Sequence, residues 1–339
     1  MISVLPGPFT TKGKQEAVQK EVKENYETYF AKAVRTRLWF PEKLRERNQM
    51  AEYAHFITEE TKEILLGFLG VESIVDDYVF SGLNAIGGTE STKSLYIQWG
   101  YEERRHGQTF RHALIDSGLY SQEFIDKFLD ETSEYHWTFE EQTGYSMDPL
   151  MGSAYAIFQE RQTRWNYTYT RMKIWKEYGS PCDSSGRRVF PAIAGAIRFP
   201  EIDEGAHEAN FKNIVGIYMK YFPDLALDAL VKVSKNYHMP VMQMPNSEEF
   251  IKCILNTEMG NARNIISEVM NPALEKMGLE NRQALRKAVH NFQLLPENAI
   301  VNVENRFSSG ITPDDETQIY TMKPNGDFIL EDPSTKNHI

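Results

Sequence analysis

Cysteine is nearly absent. The 339 residues contain only Cys182 and Cys253, and neither has a close cysteine partner. That excludes a disulfide framework, a CxxC redox pair and a cysteine-based zinc or iron–sulfur site. It also points to a reducing, cytoplasmic setting. No run of about 18 apolar residues occurs, so no membrane-spanning helix is expected. The opening MISVLPGPFTTKGKQ lacks a basic stretch leading into an apolar one. It does not read as a secretory signal, and roughly the first fifteen residues are expected to fray. Positive charge is in deficit: 37 Lys and Arg against 48 Asp and Glu leave a net −11. A chain this acidic is a poor match for a nucleic-acid backbone. Sustained apolar–polar alternation is also scarce, which argues against a β fold.

What the chain has is apolar spacing of three and four residues over long blocks, the mark of amphipathic helices. Hydrophobic residues make up 41% of it, enough for a sizeable core. The breakers are PEK after Trp39–Phe40, Gly87–Gly88, YSMDP at 145–149, SPCDSSG at 180–186 and FPD at 222–224. They leave helical blocks of roughly twenty to thirty residues, well above the mean of about 11–12, as in a helix bundle. One helical domain over 1–307 is expected. A polar, mostly irregular tail follows over 308–339, with a short hairpin around Pro324–Asn325–Gly326.

Four of the apolar stripes carry carboxylates where a core face should be aliphatic. The block 60–82 reads Leu65, Phe68, Leu69, Glu72, Val75, Val79 as a single helix face. The block 91–117 reads Leu95, Trp99, Glu103, His106, Phe110, Ala113. The block 150–178 gives Ala156, Glu160, Thr163, Tyr167, and 188–221 gives Ile197, Glu204, His207, Phe211, Ile214, Tyr218. Pro200, four residues before Glu204, is expected to start or kink that last helix.

An inward ionised carboxylate is costly unless it is paired or binds a metal. Here four helices each bring one Glu inward, and two of them add a His three residues on. The order is Glu72, then Glu103-x-x-His106, then Glu160, then Glu204-x-x-His207. Residues i and i+3 project from one helix face, so one carboxylate can bridge two ions while the His binds one of them. This is the donor set of a di-iron carboxylate bundle. Carboxylate and imidazole suit iron, and open coordination positions admit O2. Four carboxylates also cancel the charge of two divalent ions, which makes burial of the whole tolerable. The fold class expected is therefore all-α, a ferritin-like four-helix di-iron bundle extended by additional helices. A single Glu-x-x-His is weak evidence; two of them, each preceded by a lone inward Glu, are strong.

The same residues resemble the soluble acyl-acyl-carrier-protein desaturases, the stearoyl-type family. Trp99-Gly-Tyr-Glu102-Glu103-Arg-Arg105-His106-Gly107 is similar to its W-x-x-E-E-x-R-H-G, and Phe158-Gln159-Glu160-Arg161-Gln-Thr163 to its F-Q-E-R-x-T. Asp203-Glu204-Gly-Ala-His207-Glu208 resembles its D-E-x-R-H-E, and Met147-Asp148-Pro149 also fits. The likeness runs from about Trp39 to Met239–Pro240. It implies iron ligands at Glu72, Glu103, His106, Glu160, Glu204 and His207, with Glu103 and Glu204 bridging. It implies a proton-handling role in oxygen activation for Thr163. Asp203 would hydrogen-bond a metal-binding His, and Trp39 would relay electrons through Asp203. The family's basic residues before the second His are replaced by Gly205 and Ala206, which bears on substrate and docking rather than on the metal site.

The resemblance further implies two iron ions per chain, O2 as co-substrate, a ferredoxin-type electron donor, an acyl carrier protein as partner and a homodimer. Loss of two hydrogens from a carrier-bound acyl chain would give an alkene. A di-iron hydroxylase acting on a carrier-bound polyketide or aminoacyl chain is the alternative, because fold and metal do not fix the product. A non-catalytic ferritin-like protein fits less well, since the chain is about twice the length that such a bundle needs. Six basic residues between Lys32 and Arg47 (Lys32, Arg35, Arg37, Lys43, Arg45, Arg47) face only Glu42 and Glu46, and this run could steer an acidic carrier.

Overall fold

The computed structural model of the chain describes residues 12–45, 50–51, 54–86, 90–239, 241, 244–277, 279, 282–294, 319–322 and 328–331. The helices as far as Tyr221 are α1 (Lys12–Thr36), α2 (Glu59–Ser73), α3 (Val75–Ile86), α4 (Glu90–Asp116), α5 (Gln122–Thr132), the short α6 (Phe139–Thr143), α7 (Pro149–Glu177) and α8 (Ala192–Tyr221). Those that follow include α9 (Pro223–Asn236), α10 (Ser247–Leu255), α11 (Asn271–Lys276) and α12 (Arg282–Leu294). Strands β1 (Ile319–Met322) and β2 (Phe328–Glu331) pair antiparallel, with Ile319 opposite Glu331. That is the expected hairpin, although its turn lies outside the described residues. It rests against α8 and α12.

Local chemistry sets the helix starts. Thr58 accepts a hydrogen bond from the Thr61 backbone N–H and opens α2. Asp148 accepts from the Leu150 and Met151 N–H groups at 2.8 Å, and Pro149 occupies the first turn of α7, where it loses no hydrogen bond. Three expectations need correction. The block 60–82 is two helices, broken at Ile74 between α2 and α3, so Val79 lies on a different axis from Glu72 and is only half-buried. The chain is helical from Lys12, so helix α1 takes in the end of the stretch expected to fray; residues 1–11 lie outside those described. Pro200 does not start α8, which begins at Ala192 and runs through it.

Helices α2, α4, α7 and α8 pack round one axis: α2 on α4, α4 on α8, α8 on α7 and α7 on α2. Helix α1 lies across α4 and α8. The apolar interior falls into two clusters. One holds Val75, Trp99, Phe158 and Phe211; the other holds Leu65, Phe68, Phe110, Tyr167 and Ile197. Along α4 the order is Trp99, Glu103, His106, Phe110, and along α8 it is Ile197, Glu204, His207, Phe211. Thus α4 and α7 run from the first cluster to the second, while α2 and α8 run the other way. The polar layer sits where all four helices cross from one cluster to the other. Among the described residues, no helix is long and apolar enough to cross a membrane.

Close approach of the segment after α9 depends on glycine. A Cβ on Gly67 would overlap the Phe250 ring of α10, and one on Gly70 would meet Met244 and Phe128. These two positions let α10 and its approach lie flush on α2. Gly67→Ala should cost about 1–3 kcal/mol through overpacking. Chemical denaturation measures this, and an unchanged midpoint would show that Phe250 is not seated there.

Candidate metal centre

The six expected side chains meet in one place, and all are buried: Glu72 and Glu103 to 5% exposure, the other four to 1% or less. Their donor atoms form two groups, each within 4.8 Å: Glu72, Glu103, His106, Glu204, and Glu103, Glu160, Glu204, His207. Glu103 and Glu204 belong to both groups. Each is the first residue of a Glu-x-x-His pair, so each carboxylate is placed between two positions that could hold an ion.

Both imidazoles turn Nδ1 inward. His106 Nδ1 lies 3.1 Å from Glu103 Oε2 and 3.3 Å from Glu204 Oε1. His207 Nδ1 lies 2.7 Å from Glu103 Oε1 and 3.1 Å from Glu160 Oε2. Ligands held about 2.1 Å from an octahedral ion stand ~3 Å apart, so the spacing suits donors arranged round a cation. Despite these short contacts, Glu103 Oε1, Glu160 Oε1, Glu204 Oε1 and His106 Nδ1 are buried and, among the described residues, make no hydrogen bond of proper geometry. Orphaned donors and acceptors of this density are rare in a protein interior, and a pair of divalent ions would satisfy them. This is a di-metal carboxylate–histidine site.

The outer nitrogens are held crosswise. His106 on α4 directs Nε2 at Asp203 Oδ2 of α8, 3.4 Å away, while His207 on α8 directs Nε2 at Glu102 Oε2 of α4, 2.9 Å away. An Nε2–H donated to a carboxylate leaves the Nδ1 lone pair free for a metal. Asp203 also accepts from Trp39 Nε1 at 2.8 Å. The Trp39 and His106 rings are nearly parallel, 3° apart, with centroids 6.2 Å apart. Glu102 is the counterpart that the sequence reasoning quoted in a motif without giving it a role. Its signal was available, since an acidic residue directly precedes both Glu103 and Glu204.

Two arginines balance the outer carboxylates. Arg37 Nη1 donates to Asp203 Oδ1 at 3.1 Å and reaches Glu102 Oε2 at 3.5 Å; Arg105 Nη2 donates to Asp203 Oδ2 at 3.0 Å. Tyr29 donates to Glu102, and Tyr167 donates to Glu72. None of these four had been assigned to the site. The inward turn of Arg37 also corrects the basic run of Lys32–Arg47. Arg37 serves the interior, and Arg45 is bound by both nitrogens to Asp116 at 2.7 and 2.8 Å. Arg47 lies outside the described residues. Lys32, Arg35 and Lys43 remain as exposed cations.

Thr163 Oγ1 donates to the Gln159 carbonyl at 3.0 Å, the back-bond that a helical threonine ordinarily makes. It also lines a cavity of about 390 Å³ beside the site, whose walls include Phe68, Val71, Tyr167, Phe250 and Ile254. That volume falls within the range of about 300–1,000 Å³ usual for ligand pockets. Gly205, where the resemblance puts a basic residue, is packed against a cation from the next helix: its Cβ would lie 3.2 Å from Arg164 Cζ. Arg164 stands 3.7 Å from the buried Glu208.

Electrostatics at the site follow from crowding. Burial, reinforced by Glu103 and Glu204, pushes the Glu72 and Glu160 carboxyls well above the usual range. Burial would raise Glu103 too, but His106 and His207 together pull it below. Burial opposes protonated imidazole, yet the surrounding carboxylates raise both His106 and His207. Glu102 is opposed by burial but held down to about 2 by His207 and Arg37.

Groups with raised values carry protons near neutrality, and a metal needs neutral imidazole and ionised carboxylate. Ferrous ion uptake should therefore release protons and tighten as pH rises. Anaerobic calorimetry in buffers of different ionisation heat reads this, and uptake without proton release would contradict the assignment. Glu102→Ala should weaken metal binding by about 10–100-fold by freeing the His207 ring. Metal titration followed by competition with a chelator measures that loss.

The family model for "Fatty acid desaturase" matches residues 82–309, which takes in Glu103, His106, Glu160, Glu204 and His207 and leaves Glu72 ahead of it. No curated protein matches. Among solved structures, a chain described as an acyl-ACP desaturase, DesA2 of Mycobacterium tuberculosis, is 14% identical; 77% of this chain covers 99% of it at a TM-score of 0.48. An R2-like ligand-binding oxidase with a reconstituted Mn/Fe cofactor is also 14% identical, with 76% of this chain covering 93% of it at a TM-score of 0.49. The family match takes in well over half of the sequence and five of the six inward donors, and the chain belongs to the fatty acid desaturase family.

Proposed function

We propose that the protein is a cytosolic di-iron desaturase that uses O2 and two electrons to place a C=C bond in a carrier-protein-bound acyl chain. The observation that carries the proposal is the pair of donor groups sharing Glu103 and Glu204, with an apolar cavity opening at Thr163 beside them. Glu72, Glu103, His106, Glu160, Glu204 and His207 would hold the two ions, whose chemistry is the activation of O2 toward an unactivated C–H bond. In sum, the chain loses two hydrogens, and O2, two electrons and two protons complete the formation of two waters.

The remaining side chains have defined work. Asp203 and Glu102 fix the planes and tautomers of the two imidazoles. Trp39, hydrogen-bonded to Asp203 and flanked by the exposed Leu38 and Phe40, supplies a route from the surface for electrons from a ferredoxin-type donor. Thr163, at the cavity wall, donates its hydroxyl proton to the Gln159 carbonyl and keeps oxygen lone pairs that can accept a hydrogen bond, as a relay for protons requires. Phe68, Val71 and Ile254 exclude water from the bound chain. Lys32, Arg35 and Lys43 offer an acidic carrier protein a smaller cationic face than the sequence suggested. A homodimer fits the exposed Phe30 and Val34 of α1 and Ile97 and Tyr101 of α4.

The purified protein should bind two irons per chain, and His106→Ala or Glu204→Ala should lose most of that metal. Full metal content and activity in either variant would refute the ligand assignment. With a ferredoxin reducing system and carrier-loaded acyl chains, intact-mass analysis should find product two hydrogens lighter. A product heavier by one oxygen would instead support hydroxylation of a carrier-bound polyketide or aminoacyl chain.

A further inference from the structure

Trp39 reaches the donor layer by a path that Tyr29 repeats on the opposite side. Trp39 Nε1 donates at 2.8 Å to Asp203 Oδ2, the same oxygen that lies 3.4 Å from His106 Nε2. The Tyr29 hydroxyl donates to Glu102 Oε2, the same oxygen that lies 2.9 Å from His207 Nε2. Each aromatic ring is thus joined to its imidazole through one carboxylate oxygen. The ring centroids stand 6.2 Å apart for Trp39 and His106, and 6.4 Å apart for Tyr29 and His207. Both rings are buried, and a guanidinium lies over each: Arg105 at 4.7 Å from the Trp39 ring and Arg37 at 4.9 Å from the Tyr29 ring. The two paths differ in the group at their outer end. An indole can give up an electron and keep its N–H. A phenol gives up its electron together with its O–H proton.

From this we infer that Tyr29 is a redox-active side chain: when O2 is reduced at the loaded site with no acyl chain in the cavity, Tyr29 supplies one electron through His207 and one proton to Glu102. The inference rests on the proposed function, since it needs a site that reacts with O2. The phenolic O–H bond of Tyr29 breaks. Its proton moves along the existing hydrogen bond to Glu102 Oε2, and its electron passes by way of His207 to the site, where O2 is the oxidant. A phenoxyl radical remains. One electron from the ferredoxin-type donor and the proton returned by Glu102 restore the phenol. A phenol O–H is weaker than the unactivated C–H bond that the proposed reaction breaks, so an oxidant fit for the substrate can also take it. Burial holds Tyr29 as the phenol rather than the phenolate, so the proton is there to be lost. The Arg37 cation over the ring opposes a positively charged ring, which ties loss of the electron to loss of the proton. The acceptor already stands in line, so no group has to move first. Tyr29 lies on α1 and is not among the residues that line the cavity, so it competes with a bound chain for the oxidant without touching that chain. Its work is to discharge an oxidant that has no substrate to attack, before that oxidant damages the protein around it.

The test is freeze-quench electron paramagnetic resonance. Protein loaded anaerobically with ferrous iron is mixed with O2 in the absence of any acyl thioester. Wild-type protein should give an organic radical signal that changes shape when the protein is made with ring-deuterated tyrosine and not when it is made with ring-deuterated tryptophan. Tyr29→Phe should lose the signal at equal iron content. Tyr167→Phe, which removes the other phenol bonded to a carboxylate of the layer, should keep it. Wild-type protein that consumes O2 without forming a tyrosine radical would overturn the inference and leave the desaturase reading standing. A signal that persists in Tyr29→Phe, or one that vanishes in Tyr167→Phe at equal iron content, would overturn it as well. If Tyr29→Phe does not hold iron, the isotope labels and Tyr167→Phe decide the matter by the same outcomes. Peptide mass spectrometry after repeated reduction and exposure to O2 without substrate gives a second readout. Oxidised Trp, Met and Tyr should accumulate faster in Tyr29→Phe than in wild-type protein, and equal damage at equal iron content would count against a discharging role. Iron-loaded wild-type protein that consumes no O2 at all would bring down the proposed function together with the inference.

Discussion

The structure turns on one electrostatic constraint. Four carboxylates and two imidazoles are buried at the crossing point of four helices, where water cannot screen them. Such a layer is tolerable only if every charge is matched close by. The matching occurs in two concentric shells. Inside, two divalent ions would cancel the four glutamates. Outside, the Glu102 and Asp203 carboxylates lie against the Arg37 and Arg105 guanidiniums. The two apolar clusters on either side of this layer are what exclude water, and their large side chains, Trp99 and Phe211 against Phe110 and Tyr167, clamp it from both ends of the bundle.

The same arrangement is close to two-fold symmetric in its chemistry. Helices α4 and α8 each contribute an acidic residue, then a shared glutamate, then a histidine one turn on, and each acidic residue steadies the other helix's histidine. The symmetry stops at the edges. Asp203 continues outward to the Trp39 indole, whereas Glu102 continues to the Tyr29 hydroxyl. On the proposed reading, one histidine faces the electron donor while the opposite side of the layer faces Thr163 and the cavity.

Where sequence reasoning fell short, the causes are specific. The block 60–82 carries an unbroken apolar rhythm, so the break at Ile74 is invisible to a count of spacings; it is tertiary packing on α4 that divides α2 from α3. Pro200 marks a helix start by its local preference, yet α8 begins eight residues earlier, at Ala192. The basic run 32–47 looked like one charged face because sequence does not state which way an arginine reaches. Arg37 spans from the end of α1 to two helices far away along the chain, and that costs the surface one of its cations.

The sequence by itself determined the helical class, the four helices that matter and the six side chains that meet at their crossing. It could do so because helix geometry converts a spacing of three or four residues into a shared face, and because a charged residue on an apolar face has few explanations. Only the tertiary structure decided which carboxylates are shared, which histidine each outer acid holds, and that Tyr29 reaches one of those acids. Those facts depend on side chains from different helices arriving within a few ångströms of each other, and no local pattern encodes such distances.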